Sequence, residues 1–165
     1  MNYVFNHVFQ TYKTGLLSLQ PLTEDNMHKE VFEFIKTRLV ESVTKENISI
    51  IYLDGKFIGF LQLNPFSAKK FQKDYGDKDY PFELSHIKEG EEHTVVIENL
   101  FISSKHQGKY IGQSIVRFLQ DVLEDKTLLL YSLAEAEEFW MNMGFQDNGD
   151  YVYSWLKENT LRKTA

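Results

Sequence analysis

The sequence predicts a mixed α/β (α+β) fold, with a central mixed sheet containing one βαβ crossover and flanked by helices. Three observations carry this reading. Asp54-Gly55 and Asp147-Asn148-Gly149-Asp150 are tight-turn signals between strand-forming runs, which makes antiparallel hairpins. Residues 94–131 read as strand, amphipathic helix and strand in that order, and this is the order of a parallel crossover. The chain has 165 residues, 42% hydrophobic and 15% aromatic, which suits one domain with a real core. The expectation is a single domain over 1–165.

In chain order, Leu16-Leu17-Ser18-Leu19 reads as a short strand. Pro21 and Thr23 followed by Glu24 and Asp25 look like a helix start, and Val31, Phe34, Ile35 and Leu39 follow at helical spacing, so residues 24–40 are expected to be mostly helical. Ile48 to Leu53 and Phe57 to Leu63, rich in β-branched and aromatic residues, form the first hairpin around Asp54-Gly55. Residues 65–92 carry charge clusters around isolated aromatics without a sustained period. They read as a long excursion holding a short helix, either a functional lid or a disordered insertion. Thr94 to Ile102 is apolar on both faces except at Glu98 and Asn99, which marks an interior strand.

Ile111, Ile115, Phe118, Leu119 and Val122 then recur at helical spacing, and Leu128 to Tyr131 is a second buried strand. Ala136, Phe139, Trp140 and Met143 form the last helical stripe, with Gly144 at its end. In that stripe Phe139 is expected to be the core residue. Phe145 and Tyr151 to Leu156 flank the second hairpin turn.

Composition excludes several classes. No cysteine is present, so disulfides, thiolate metal sites and cysteine nucleophiles are absent and a cytoplasmic location is the default. No apolar run approaches the ~20 residues needed to span a bilayer. The first residues lack the basic start and apolar stretch of a secretory signal, so the chain is expected to be mature as it stands and not a membrane protein. The five histidines show no metal-ligand spacing, and no metal is expected. Net charge is −6, with 7 basic and 12 acidic side chains over residues 91–165 against 11 and 12 before them. That balance argues against nucleic acid and favours cationic partners such as amines.

The segment that carries chemistry lies between the interior strand and the crossover helix: Gln107-Gly108-Lys109-Tyr110-Ile111-Gly112. Glycines here open a helix, whose first amides lack internal acceptors and whose dipole is positive, so the backbone itself can bind an anion. Gly108 and Gly112 allow close approach, and Lys109 adds a charge.

This segment resembles the acyl-CoA signature of the GNAT superfamily of N-acyltransferases, Gln/Arg-x-x-Gly-x-Gly/Ala. Asn99 to Ser103 is similar to that family's fourth strand, and Ala136 to Phe145 to its Ala-x-x-Phe-Tyr-x-x-x-Gly-Phe segment. The resemblance covers roughly residues 94–146 and implies a GNAT-like fold using acetyl-CoA as co-substrate. It also implies that the backbone of Phe101 and Ile102 pairs with the pantetheine, and that amides from Gly108 through Ile111 and Gly112 to Gln113 receive the pyrophosphate. Two positions depart from the pattern. Tyr110 replaces the central glycine, and Trp140 stands where the family often has a tyrosine acting as general acid, a role closed to an indole N–H. Trp140 is left with walling the CoA arm.

For the catalytic base the reading singles out Glu98, which alternation places with Val96 and Leu100 in a strand otherwise buried, where desolvation would raise a carboxylate's pKa. Tyr131 and Ser132 are the fallback proton donors, with Tyr151 and Tyr153 behind them. The leading expectation is an acetyl-CoA-dependent N-acetyltransferase acting on the primary amine of a small molecule or peptide. The rival is a non-catalytic acyl-CoA-binding or regulatory module. A homodimer is left open.

Overall fold

The computed structural model describes residues 3–11, 15–39, 46–108 and 110–158. Eight strands pair in the order β1-β2-β3-β4-β5-β6-β8-β7 as a mixed sheet. They are β1 (His7–Thr11), β2 (Gly15–Pro21), β3 (Ile48–Leu53), β4 (Lys56–Pro65), β5 (Thr94–Ile102), β6 (Thr127–Tyr131), β7 (Gln146–Asp147) and β8 (Val152–Trp155). The helices are α1 (Lys29–Lys36), α2 (Ala68–Tyr75), α3 (Ile111–Val122) and α4 (Glu137–Asn142). The chain forms two compact units, one of residues 2–63 and 98–115, the other chiefly of 64–97 and 116–165. We call them the first and second unit and describe each by itself; β4, β5 and α3 run from one into the other.

In the first unit β1, β2, β3 and β4 pair antiparallel in succession. The β3–β4 turn is built by Asp54 at φ 49° and Gly55 at φ 79°. These left-handed angles match the twist of a two-residue hairpin. Asp54 also holds β2, accepting from the Leu16 amide at 2.9 Å and donating its own amide to the Leu16 carbonyl at 2.9 Å. Strand β1 was not foreseen. Helix α1 lays Val31 and Ile35 on Ile48, Ile50 and Phe60, with Phe34 edge-on to Phe57 and Phe60. Fully burying each such side chain is worth roughly 1.5–3 kcal/mol.

The expected helix over 24–40 is shorter. Asn26 accepts from the Thr23 amide and donates to the Pro21 carbonyl, at 2.8 and 2.9 Å, and this side-chain turn competes with helix in the stretch before Lys29. Turns follow Lys36, and residue 40 lies outside the described residues.

In the second unit β5 and β6 are parallel, Thr94–Val96 against Thr127–Leu129, as the crossover requires. Strand β8 pairs antiparallel with both β6 and β7. The excursion over 65–92 is built structure. Helix α2 is capped by Ser67, whose hydroxyl accepts from the Lys70 amide. Phe66, Phe71, Leu84 and Ile87 bury themselves on Val96, Leu129 and Val152. Gln72 ties the return path, accepting from the Phe82 amide at 2.7 Å and donating to the Asp77 carbonyl at 3.0 Å. Helix α4 ends as expected, with Gly144 at φ 86° and the Phe145 amide on the Trp140 carbonyl at 3.1 Å.

One glycine fixes how β4 meets β5 in the first unit. A β-carbon on Gly59 would lie 1.9 Å from the Phe101 carbonyl oxygen, a backbone atom. Gly59→Ala should therefore cost about 1–3 kcal/mol through forced backbone movement, lowering Tm by roughly 3–10 °C. An unchanged melting curve would show that the strands part at no cost.

Candidate functional site

The end of β5, the loop after it and the start of α3 all belong to the first unit. Phe101 turns its ring onto Phe60, with centroids 5.6 Å apart, so the side chain serves the core and the backbone is what the strand offers. Beyond it the Ser103 amide donates to the Ile58 carbonyl at 2.7 Å. The Ser103 hydroxyl lies 2.6 Å from His106 Nδ1 across a single 3-10 turn, Ser104–His106. Gln107, the first residue of the loop motif, donates its side-chain amide to the Ile102 carbonyl at 2.9 Å. This bond closes the loop back onto the strand end, a role that spacing alone did not reveal.

Gly108 has φ 77° and Tyr110 φ 62°, so the chain turns through left-handed backbone on both sides of Lys109, which itself lies outside the described residues. The first bond of α3 runs from the Ser114 amide to the Tyr110 carbonyl at 3.1 Å, and the Ser114 hydroxyl donates to the same carbonyl. The amides of Ile111, Gly112 and Gln113 thus precede the helical ladder, at the positive end of a twelve-residue helix. Open space surrounds Gly108 where a β-carbon would stand. The geometry suits a diphosphate seated on backbone N–H groups.

The other predicted residues fall as follows. Glu98, in the first unit, is half-buried on β5, and its polar neighbour Asn99 is buried. Asn99 donates to Gln62 Oε1 at 2.7 Å, and Gln62 donates to the Glu46 carbonyl at 2.8 Å. Tyr131, Ser132 and Trp140 belong to the second unit. The Tyr131 ring stacks on Tyr75 at 5.1 Å with 13° between planes and meets Phe82 and Tyr151 at 6.1 and 6.2 Å. Ser132 is buried and its hydroxyl donates to the Leu133 carbonyl at 2.7 Å.

Trp140, rather than Phe139, is the buried ring of α4. It packs edge-on against Phe139 and Phe145, at 4.9 and 5.1 Å. Tyr153 is buried with its hydroxyl on Glu137 Oε1 at 2.7 Å, and burial, then that carboxylate, pushes its pKa up to about 12. Such a hydroxyl is a poor proton donor near neutrality. Among the described residues no cluster of three His, Asp or Glu side chains could hold a metal ion, and no helix is long and apolar enough to cross a membrane.

Comparison with known families places the acetyltransferase (GNAT) family profile on residues 12–145. The chain belongs to the GNAT family. Its fold is shared with Naa50 of Arabidopsis thaliana in complex with the bisubstrate analogue CoA-Ac-MVNAL, at 15% identity and a TM-score of 0.55 over 84% of this chain and 97% of that one. The N-acetyltransferase YlbP of Bacillus subtilis, in complex with coenzyme A, matches at 14% identity and a TM-score of 0.53 over 86% and 97%. AtaT complexed with acetyl-methionyl-tRNAfMet matches at 15% identity and 0.54 over 90% and 99%. A comparison with curated protein sequences finds no match.

Tyr110 occupies a backbone conformation that favours glycine, with its side chain 67% exposed. Tyr110→Gly should relieve the ~1–2 kcal/mol cost of a left-handed L-residue against a smaller loss from the freer unfolded chain. A net gain of roughly 0.5–1 kcal/mol in urea melts is expected. Gly108→Ala, strained but unobstructed, should instead lose about 1 kcal/mol. Opposite signs in the two melts are the check.

Proposed function

We propose that the protein is an acetyl-CoA-dependent N-acetyltransferase whose acceptor is the primary amine of a small molecule or a peptide. The observation that carries this reading is the start of α3. The positive-φ residues Gly108 and Tyr110 turn the chain so that three amides outside the helical ladder face out, within the region where the family profile matches. In this reading those amides, with Gly108 and Lys109, take the pyrophosphate. The backbone of Phe101 and Ile102 lines the pantetheine, with Gln107 holding the loop to the Ile102 carbonyl, and Trp140 walls the CoA arm. Solved relatives of the same fold with CoA, acetyl-CoA or a CoA conjugate support acetyl-CoA as the donor.

The acceptor ammonium loses a proton to Glu98, through water, and the neutral nitrogen attacks the thioester carbonyl. The N–C bond forms as the carbonyl π pair moves onto oxygen; the carbonyl re-forms as the C–S bond breaks, the nitrogen gives its second proton to water, and the sulfur leaves as thiolate to be protonated to free CoA. Strand amides of β5 stabilise the carbonyl oxygen as it gains charge. Of the hydroxyls proposed to return a proton, Ser132 must first give up the Leu133 carbonyl, which leaves Tyr131 ahead of it. A tRNA acceptor, as in the AtaT complex, is disfavoured by the net charge of −6.

A second reading, a non-catalytic acyl-CoA-binding or regulatory module, draws on the buried indole of Trp140 at the usual acid position. Release of thiol from acetyl-CoA over a panel of amines separates the two, because a binding module gives none.

Gly112→Glu should weaken acetyl-CoA binding about 10-fold or more by setting a carboxylate at the pyrophosphate, as read by isothermal titration. Glu98→Gln should keep that affinity and lower turnover by about 10-fold or more. Retained turnover across the pH range would make Glu98 structural.

A further inference from the structure

The aromatic side chains of the excursion over 65–92 continue from the core to the surface. Within the second unit Tyr75 and Phe82 pack on the buried Phe71, at 5.0 and 5.7 Å, and also reach Tyr131, and Tyr151 joins from the terminal hairpin. The four rings form one connected wall that stays open to solvent: Tyr131 is 36% and Tyr151 44% exposed, and Tyr75 and Phe82 are half-buried.

The charge around the wall says what it fits. The second unit holds 10 basic and 16 acidic side chains, whereas the first holds 8 of each, so the whole excess of negative charge lies in the unit that carries the rings. Acidic residues adjoin two of them directly in sequence, Glu83 after Phe82 and Asp150 before Tyr151, whereas Asp74 before Tyr75 is paired with Lys70 at 2.7 Å. Hydrogen bonds from the Ser85 hydroxyl, first, and the Ser85 amide hold the Glu83 carboxyl below its ordinary range, so it stays ionised. Aromatic faces in an acidic field attract organic cations and repel phosphates.

We propose that the wall of Tyr75, Phe82, Tyr131 and Tyr151 is a recognition surface for an organic ammonium ion, and that it selects a positively charged aliphatic amine as acceptor. The assignment of an acceptor rests on the acetyltransferase reading; the cation site does not. It gives the excursion over 65–92 the task of supplying two of the four rings.

Tetramethylammonium tests the site alone, because it has the charge and no N–H to acetylate. In the full chain with 13C-labelled tyrosine rings, titration against matched sodium chloride should shift the signals of Tyr75, Tyr131 and Tyr151 saturably and leave Tyr52 and Tyr153 in place. Absence of a saturable shift, or equal shifts at all tyrosines, overturns the proposal. In steady-state kinetics Tyr75→Leu should raise the KM for the amine about 10-fold with kcat within about 2-fold and acetyl-CoA affinity unchanged, a loss in the range of a desolvated cation–π contact. Tyr75→Phe, which keeps the ring, should restore most of it. A loss of kcat that the phenylalanine does not restore overturns the binding role. Failure of acetyl-CoA to bind while the tetramethylammonium shifts persist would sink the acetyltransferase reading and leave the cation site standing.

Discussion

The first unit depends on one close approach of backbone to backbone. Gly59 on β4 lies so near the Phe101 carbonyl that no side chain can stand between them, and the buried chain from the Glu46 carbonyl through Gln62 to Asn99 fixes the same strand pair from within. An amide of this kind that lost its partner would be left desolvated, at a cost of about 1–3 kcal/mol. Sliding β5 along β4 therefore breaks contact and network together. From that fixed strand end the Ser103 amide, the Gln107 side chain and the two left-handed residues carry the chain into α3. The direction in which the helix presents its first amides is inherited from β5.

Much of this was legible because it is written in short-range chemistry. Asp54 and Gly55 in one turn, and Gly149 and Asp150 in the other, adopt positive φ of the kind such turn residues favour, and the strand, helix and strand from Thr94 to Tyr131 have the spacing of a crossover. Less was legible where a side chain chose between partners. Asn26 draws the chain into a turn where acidic residues suggested helix. In β5 alternation pointed to Glu98 as the polar residue among buried neighbours, yet Glu98 is half-buried and Asn99 is buried, because Gln62 on β4 can satisfy an amide there. The expectation that Phe139 is the core residue of α4 fails for a related reason: adjacent positions on a six-residue helix differ by ~100° around its axis, and the larger ring of Trp140 took the inward place. Strand β1 gave no sequence signal because its pairing partner, β2, supplies the reason for it to be extended.

The departures from the family pattern have different physical weight. Tyr110 leaves the loop's shape intact, since the backbone adopts the left-handed region regardless, and the penalty falls on stability. Trp140, if it stands at the acid position that the family pattern implies, bears on the chemistry, because an indole can neither give nor take a proton near neutrality; its place between Phe139 and Phe145 makes it part of the packing of its unit.

A missing acid matters less in thioester chemistry than in amide or ester chemistry. A thiolate is a good leaving group, with an ordinary pKa of about 8.5, so water can return its proton within a turnover that is not fast. The demanding proton lies on the other reactant: an aliphatic ammonium has a pKa near that of lysine, ~10.4, and only its small neutral fraction can attack. In the proposed mechanism a carboxylate takes that proton, and a surface that concentrates the cation raises the amount of acceptor at the site while leaving its deprotonation to the carboxylate. Glu98 is assigned the first in the proposed mechanism, and the open aromatic wall in the acidic unit is suited to the second. On the proposed mechanism, tryptophan at the position of the family's usual acid would place the burden of rate and selectivity on the amine side of the reaction.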